Sequence, residues 1–202
     1  MSQVTIVPTG TANIASVKAA LRRLGAEAID ASGPDQVRSA GQVVLPGVGS
    51  FGAAMATIDS LGMRDALRER IEGDMPTLAV CVGMQLLCET STESPGSIGL
   101  GIVERTVRRF SEDVRVPQLG WNRVEPGGDS KYLEPGWAYF ANSYRITEEP
   151  PQWTGSTTEY DGAFVAAMER GSVLALQFHP ELSGRWGSDV LERWLTATGA
   201  AA

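Results

Sequence analysis

The first eighty residues alternate short apolar runs with segments whose apolar side chains recur at helical spacing. Residues 4–7 form a β-rich run that ends at Pro8. Ile14, Val17, Leu21 and Leu24 then share one helical face, with Asn13 as a plausible N-cap and Gly25 as the stop. Residues 26–29, 43–45 and 77–80 read as three further strands, the second stopped by Pro46 and the third starting after Pro76. An amphipathic segment over 53–72 lies between the last two and is broken at Gly62. Short, mostly apolar strands separated by helices predict a parallel sheet covered on both faces.

The second half has a different rhythm. Strand-like runs over 102–110, 122–125, 137–140, 143–147, 164–168 and 173–178 are punctuated by Gly, Pro and Asp. They predict a mixed or antiparallel extension of the sheet. Val190, Leu191, Trp194 and Leu195 predict a last helix with its apolar face in the core, and the end of the chain from Gly199 is expected to fray. No repeat or long linker divides the chain, so residues 1–202 are expected to form one domain.

Composition narrows the function classes. A hydrophobic fraction of 43% supports a real core, and a net charge of -7 with scattered basic residues argues against nucleic acid as a partner. No apolar run reaches the roughly 18–20 residues of a spanning helix, and the N-terminus lacks a signal-peptide pattern. The two cysteines, Cys81 and Cys88, are seven positions apart. On one helix they would be separated by roughly 10 Å of rise, too far for a disulfide. A reducing, cytoplasmic compartment is expected. One histidine and two separate thiols do not make a zinc site, so no metal and no cofactor are expected.

The chemistry concentrates in Leu78-Ala79-Val80-Cys81-Val82-Gly83-Met84-Gln85, where an apolar strand ends at a cysteine and a helix starts directly after it. Small residues two before and two after the cysteine suit a sharp turn that lifts a nucleophile out of the sheet. A helix N-terminus favours thiolate, and the Val82 N–H is placed to stabilise an oxyanion. A buried structural cysteine is the alternative for this stretch taken alone. Cys88, inside the presumed helix, reads as core.

His179 is the single histidine and ends an apolar strand, followed by Pro180 and Glu181. If a Cys–His pair operates, His179 is its base. In extended backbone, positions i and i+2 project to the same side, so Glu181 can orient the imidazole. The turn Leu45-Pro46-Gly47-Val48-Gly49-Ser50 also follows a strand. It lacks the Gly-Lys-Ser/Thr ending of a phosphate loop and the spacing of a dinucleotide fold. It fits better as a second oxyanion donor, from Val48 or Gly49.

Together these residues resemble the class I, triad-type glutamine amidotransferases. The resemblance runs through Thr9-Gly10-Thr11-Ala12-Asn13-Ile14, the Leu45–Gly52 turn, the elbow from Cys81 to Leu87, Tyr139-Phe140, Gln177-Phe178-His179-Pro180-Glu181 and Ser183-Gly184. The segment Pro117-Gln118-Leu119-Gly120-Trp121-Asn122 points within that family to glutaminase subunits of imidazole glycerol phosphate synthases. The resemblance implies an α/β, flavodoxin-like three-layer sandwich with a central mixed, mostly parallel sheet. It implies that Cys81, His179 and Glu181 hydrolyse glutamine through a thioester. Gly47, Gln85, Asn142, Ser143 and Tyr144 would hold the substrate. Ammonia would pass to a (β/α)8-barrel cyclase docked near Asn13, Trp121, Asn122, Tyr139 and Leu182. The oxyanion strand would be gated by that partner, giving low activity alone.

The sequence departs from the pattern at Ala79, where the elbow usually has Gly, and at Asn142, where His precedes Ser/Thr-Tyr. It departs again at Leu182, where a basic residue usually follows, and at Pro8, where many relatives carry aspartate. Three other readings stay open at this point. One is a glutaminase serving a different synthase, one an idle subunit that binds glutamine without cleaving it, and one a cysteine peptidase on a similar fold.

Overall fold

The computed structural model describes residues 2–10, 14–47 and 49–199. The first part runs β1 (Gln3–Ile6), α1 (Ile14–Arg23), β2 (Glu27–Asp30), α2 (Pro34–Ser39), β3 (Gln42–Leu45), α3 (Phe51–Ser60), α4 (Arg64–Glu72), β4 (Thr77–Val80) and a one-turn α5 (Val82–Gln85). Then come β5 (Cys88–Ser91), β6 (Val103–Arg109), β7 (Gln118–Val124), β8 (Gly136–Asn142), β9 (Tyr144–Arg145), β10 (Thr154–Glu159), β11 (Ala163–Arg170) and β12 (Val173–Leu176). A 3-10 turn (Pro180–Leu182) leads into α6 (Gly184–Thr198).

Among the described residues, seven strands form one sheet in the order β10-β11-β12-β4-β3-β1-β2. All pairs from β12 to β2 are parallel, and β10 and β11 extend the sheet antiparallel. The order β2-β1-β3-β4-β12 is that of flavodoxin-like sheets, with β12 in the fifth place. Every residue of β3, β4 and β12 is buried, so both faces of the sheet centre are covered. The apolar strands and the antiparallel extension therefore lie as the sequence pattern predicts. Between β4 and β12 the chain also builds the β7–β8 ribbon and a small sheet of β5, β6 and β9.

Two elements escaped the pattern. The short α2 carries one buried residue, Val37, and gives little periodicity. It is held from outside by Arg70, which is 1% exposed and donates to the carbonyls of Val37, Ala40, Gly41 and Pro76. Burial pulls that guanidinium down to about 10. Strand β10, Thr-Gly-Ser-Thr-Thr-Glu, is too polar to read as a strand and is paired by β11.

The helix after Cys81 is the main correction: it ends at Gln85, and Cys88 opens β5 instead of sitting mid-helix. The cause is tertiary competition for carbonyls. Leu100 N–H takes the Leu86 carbonyl at 2.7 Å, and Ile102 and Val103 take that of Leu87, each at 2.9 Å. Gly99 permits that approach, because a Cβ there would meet the Leu86 and Cys88 carbonyls. Cys88 is fully buried, and burial pushes its thiol up to about 12, leaving it inert. Gly62, at φ +64°, separates α3 from α4 as expected. The proposed N-cap Asn13 and the end 200–202 fall outside the described residues.

Candidate active site

Sheet order decides where the chemistry meets. β3, β4 and β12 are adjacent and parallel, so the turns at their carboxyl ends converge. Those turns carry Gly47, Cys81 and the segment from Gln177 to Glu181. The Cys81 N–H donates to the Leu176 carbonyl at 2.7 Å, prolonging the β4–β12 ladder to the edge of the sheet. Cys81 itself has φ +54° and ψ -112°, a strained conformation for a residue with a side chain. Two glycines enforce the turn. A Cβ on Gly83 would run into the Leu45 carbonyl, and one on Gly47 into the Gly83 nitrogen and Val82. Ala79 is fully buried in register with Leu45 and Ala175, so the sheet accommodates its methyl group.

His179 is 7% exposed and Cys81 4%. The imidazole Nδ1 lies 2.9 Å from Glu181 Oε1, and the ring shares the cavity wall with Cys81, whose sulfur accepts from Gln177 Nε2 at 3.8 Å. The expected route to this contact is corrected in one respect. Pro180–Leu182 form a 3-10 turn with proline at its start, not extended backbone. Burial alone would lower the His179 pKa, but the hydrogen bonds to Cys81 and Glu181, with the negative charge of both, raise it to about 10. His179 is therefore held as an imidazolium beside Cys81. Because the folded value lies above the ordinary 6.5, the stability from this pair is complete below about pH 6.5 and is lost as pH rises through about 10. Thermal unfolding should show a loss over that interval in the wild type and a smaller one in Cys81→Ala. As the chain has a single histidine, an imidazole NMR titration reads the same group directly.

A cavity of about 190 Å³ opens over the pair. Gly49, Val82 and Gln85 line it on one side and Asn142, Ser143 and Tyr144 on the other. The Gln85 amide nitrogen is already engaged, donating to Gln177 Oε1 at 2.9 Å and the Tyr144 carbonyl at 3.2 Å. Asn142 donates to the same carbonyl at 3.0 Å, so two amides brace this wall. The Asn142 Oδ1 is buried without a protein partner and remains an open acceptor. Gly47 lies behind the elbow, not on the cavity wall. Its carbonyl accepts the Val82 N–H at 3.3 Å, so that amide is not free for an oxyanion in this arrangement. Val48 lies outside the described residues.

Glu93 also lines the cavity, and the sequence reading passed over it. Its carboxylate accepts the Phe51 N–H at 2.7 Å at the start of α3. Nothing in Ser91-Thr92-Glu93-Ser94 signals a site. Only the fold of this segment against α3 brings the acid to the cavity. Among the described residues no group of three His, Cys, Asp or Glu side chains is placed to hold a metal.

Residues 10–197 match the family model of class-I glutamine amidotransferases. The chain belongs to the class-I glutamine amidotransferase family. It is 39% identical to the imidazole glycerol phosphate synthase subunit HisH of Symbiobacterium thermophilum over 198 residues, covering 96% of this chain and 93% of that protein. It is 40% identical over 201 residues to the chloroplastic imidazole glycerol phosphate synthase hisHF of Arabidopsis thaliana, covering 96% of this chain. The match spans only 34% of that longer protein. A crystal structure described as a glutamine amidotransferase superposes with a TM-score of 0.77 at 22% identity, covering 97% of this chain and 99% of that one, which supports the fold alone.

In this amidotransferase the β7–β8 ribbon presents an apolar outer face. Leu119, Trp121 and Trp137 are 59%, 51% and 57% exposed, and Tyr139 stacks edge-on to Trp121 with ring centroids 6.0 Å apart. Leu182 is exposed in the turn after His179. Asn122, on the other face of the ribbon, donates to the Glu159 carbonyl and positions the strand. Ala141, cross-strand from Leu119, lines the catalytic cavity, so the apolar face runs up to the site. Asn13 lies outside the described residues. Among those residues no helix is long and apolar enough to cross a membrane.

Proposed function

We propose that the chain is the glutaminase subunit of an imidazole glycerol phosphate synthase, with Cys81, His179 and Glu181 as its catalytic residues. One observation carries the reading: a strained elbow cysteine and a histidine held protonated by that cysteine and a carboxylate meet at a small, polar-walled cavity. The Cys81 thiolate attacks the side-chain carboxamide carbon of glutamine, forming the C–S bond and an oxyanion. His179 passes its proton to the amide nitrogen, the C–N bond breaks and ammonia leaves. Water, deprotonated by His179, then attacks the thioester; glutamate departs and the thiolate returns. Glu181 keeps the imidazole oriented throughout.

The substrate would be held by Gln85 and the wall from Asn142 to Tyr144, with Asn142 Oδ1 accepting one of its N–H groups. Glu93 suits the α-ammonium group. The oxyanion donors would be Val82 with Val48 or Gly49. Because the Val82 N–H rests on the Gly47 carbonyl, that turn must rotate before the site is complete. Slow hydrolysis by the chain alone follows. The partner would be a (β/α)8-barrel cyclase seated on Trp121, Tyr139 and Leu182, with Asn13 and Asn122 nearby. It would use the ammonia to form imidazole glycerol phosphate and aminoimidazole carboxamide ribotide in histidine biosynthesis. A single domain over 1–202 and a cytoplasmic location complete the reading; the free thiols Cys81 and Cys88 support the latter. The assembled triad weighs against an idle subunit.

Acid quenching during turnover with radiolabelled glutamine and the cyclase tests the chemistry. Label should remain on the wild-type chain, at Cys81, and be absent from Cys81→Ala. Glutamate release with no covalent label on a rapid-quench timescale would exclude the thioester route.

A further inference from the structure

Ser183 directly precedes α6, where a serine normally caps the first turn of a helix. It makes no such bond. Instead its hydroxyl, in a residue only 1% exposed, donates to the His179 carbonyl at 2.6 Å and accepts the Tyr139 N–H at 2.9 Å. The His179 N–H in turn donates to the Tyr139 carbonyl at 3.0 Å. Three hydrogen bonds thus close a ring through the Tyr139 backbone, the Ser183 hydroxyl and the His179 backbone. The same His179 carbonyl also accepts the Leu182 N–H at 3.1 Å. Gly187 lets α6 pack close to this turn, since a Cβ there would meet the Pro180 carbonyl and the Ser183 side chain.

The ring joins two parts of the molecule with different tasks. Tyr139 sits on β8 with its ring on the outer apolar face against Trp121, and Leu182 is itself exposed. His179 faces the nucleophile. A helix N-terminus has given up its serine cap to a buried bond between them, a local rule broken where function has a use for it.

We propose that Ser183 is a positioning residue that ties the backbone of His179 to β8. Pressure on the Trp121–Tyr139 face thereby resets the imidazole against Cys81 and Glu181. The inference rests on the glutaminase reading above and adds to it a path from the docking face to the base, separate from rotation of the Gly47 turn.

The single histidine makes the test direct. In the wild type, ¹⁵N-labelled His179 should change its ring shifts or titration midpoint when the cognate cyclase binds. Unchanged ring resonances in the bound complex would overturn the proposal without any variant. Ser183→Ala should lower kcat in the complex by about 10- to 100-fold with KM within about twofold, because a misplaced base costs rate more than binding. Its His179 midpoint should move by about one pH unit or more. Ser183→Thr, which keeps the hydroxyl, should restore most of both. A folded Ser183→Ala with wild-type kcat and titration would also overturn it, as would a fall in kcat with the titration unmoved. Should the alanine variant not fold, the nearly isosteric Ser183→Cys is read by the same results. A wild-type complex that releases no glutamate would instead remove the glutaminase reading beneath.

Discussion

Cys81→Ala is expected to lower glutamine hydrolysis by about 10⁴-fold or more, measured as glutamate release in the presence of the cyclase. The reason is that nothing else in the cavity can form the thioester. Cys88 is fully buried, with its thiol pushed up to about 12. The fold should survive, because the elbow is set by Gly47 and Gly83 and by the Cys81 N–H bond to Leu176, none of which involves the thiol. The His179 titration should also fall from about 10, since Cys81 supplies two of the four interactions that raise it. Cyclase docking, on the exposed face of the ribbon around Trp121 and Tyr139, should be unaffected. Glutaminase activity near wild type in a folded Cys81→Ala chain would refute the nucleophile assignment.

The second large effect is structural. In Gly83→Ala the new methyl group would overlap the Leu45 carbonyl, which is backbone of the central strand β3 and cannot swing aside. Either the elbow or the strand must move, at a cost of about 3 kcal/mol. For a chain of this length that is a fall in melting temperature on the order of 10 °C. What remains folded should lose about 100-fold in activity, because the displaced elbow carries Cys81 away from His179. Gly41→Ala is the control: its surroundings are open, and it should stay within about 0.5 kcal/mol of wild type. Equal melting temperatures for the two variants would show that the elbow is not held by this contact.

The parts of the fold legible in the sequence are those where one local signal dominates. Strands β1, β3, β4 and β12 are apolar runs stopped or started by proline or glycine, and their pattern alone predicts burial on both faces. Cys81 and His179 were legible because each ends such a strand, and in a parallel sheet strand ends are where sites form. What escaped was decided by partners distant in sequence. The helix after Cys81 stops because residues 100–103 claim its carbonyls, and β10 exists because β11 pairs with it. Glu93 gives no signal for the same reason, and Ser183 is legible only as part of the family resemblance, not in its bond to His179. A glutamate in a polar loop and a serine before a helix have ordinary local explanations. Only the folded chain shows one at the cavity and the other bonded to the base.

The Val82 amide illustrates a further limit. Its place after the nucleophile suggests an oxyanion donor, yet here it is satisfied by the Gly47 carbonyl. A buried amide is rarely left unpaired, so a resting chain without substrate uses the nearest acceptor. Under the proposed function the catalytic arrangement would be a second state, populated when the partner favours it.

The most direct measurement is therefore glutamate release from glutamine by the purified chain, alone and with the cognate cyclase carrying its ribotide substrate. The account predicts slow release alone and strong activation in the complex, with the ammonia consumed in step. No release under either condition, or release unchanged by the cyclase, would contradict it.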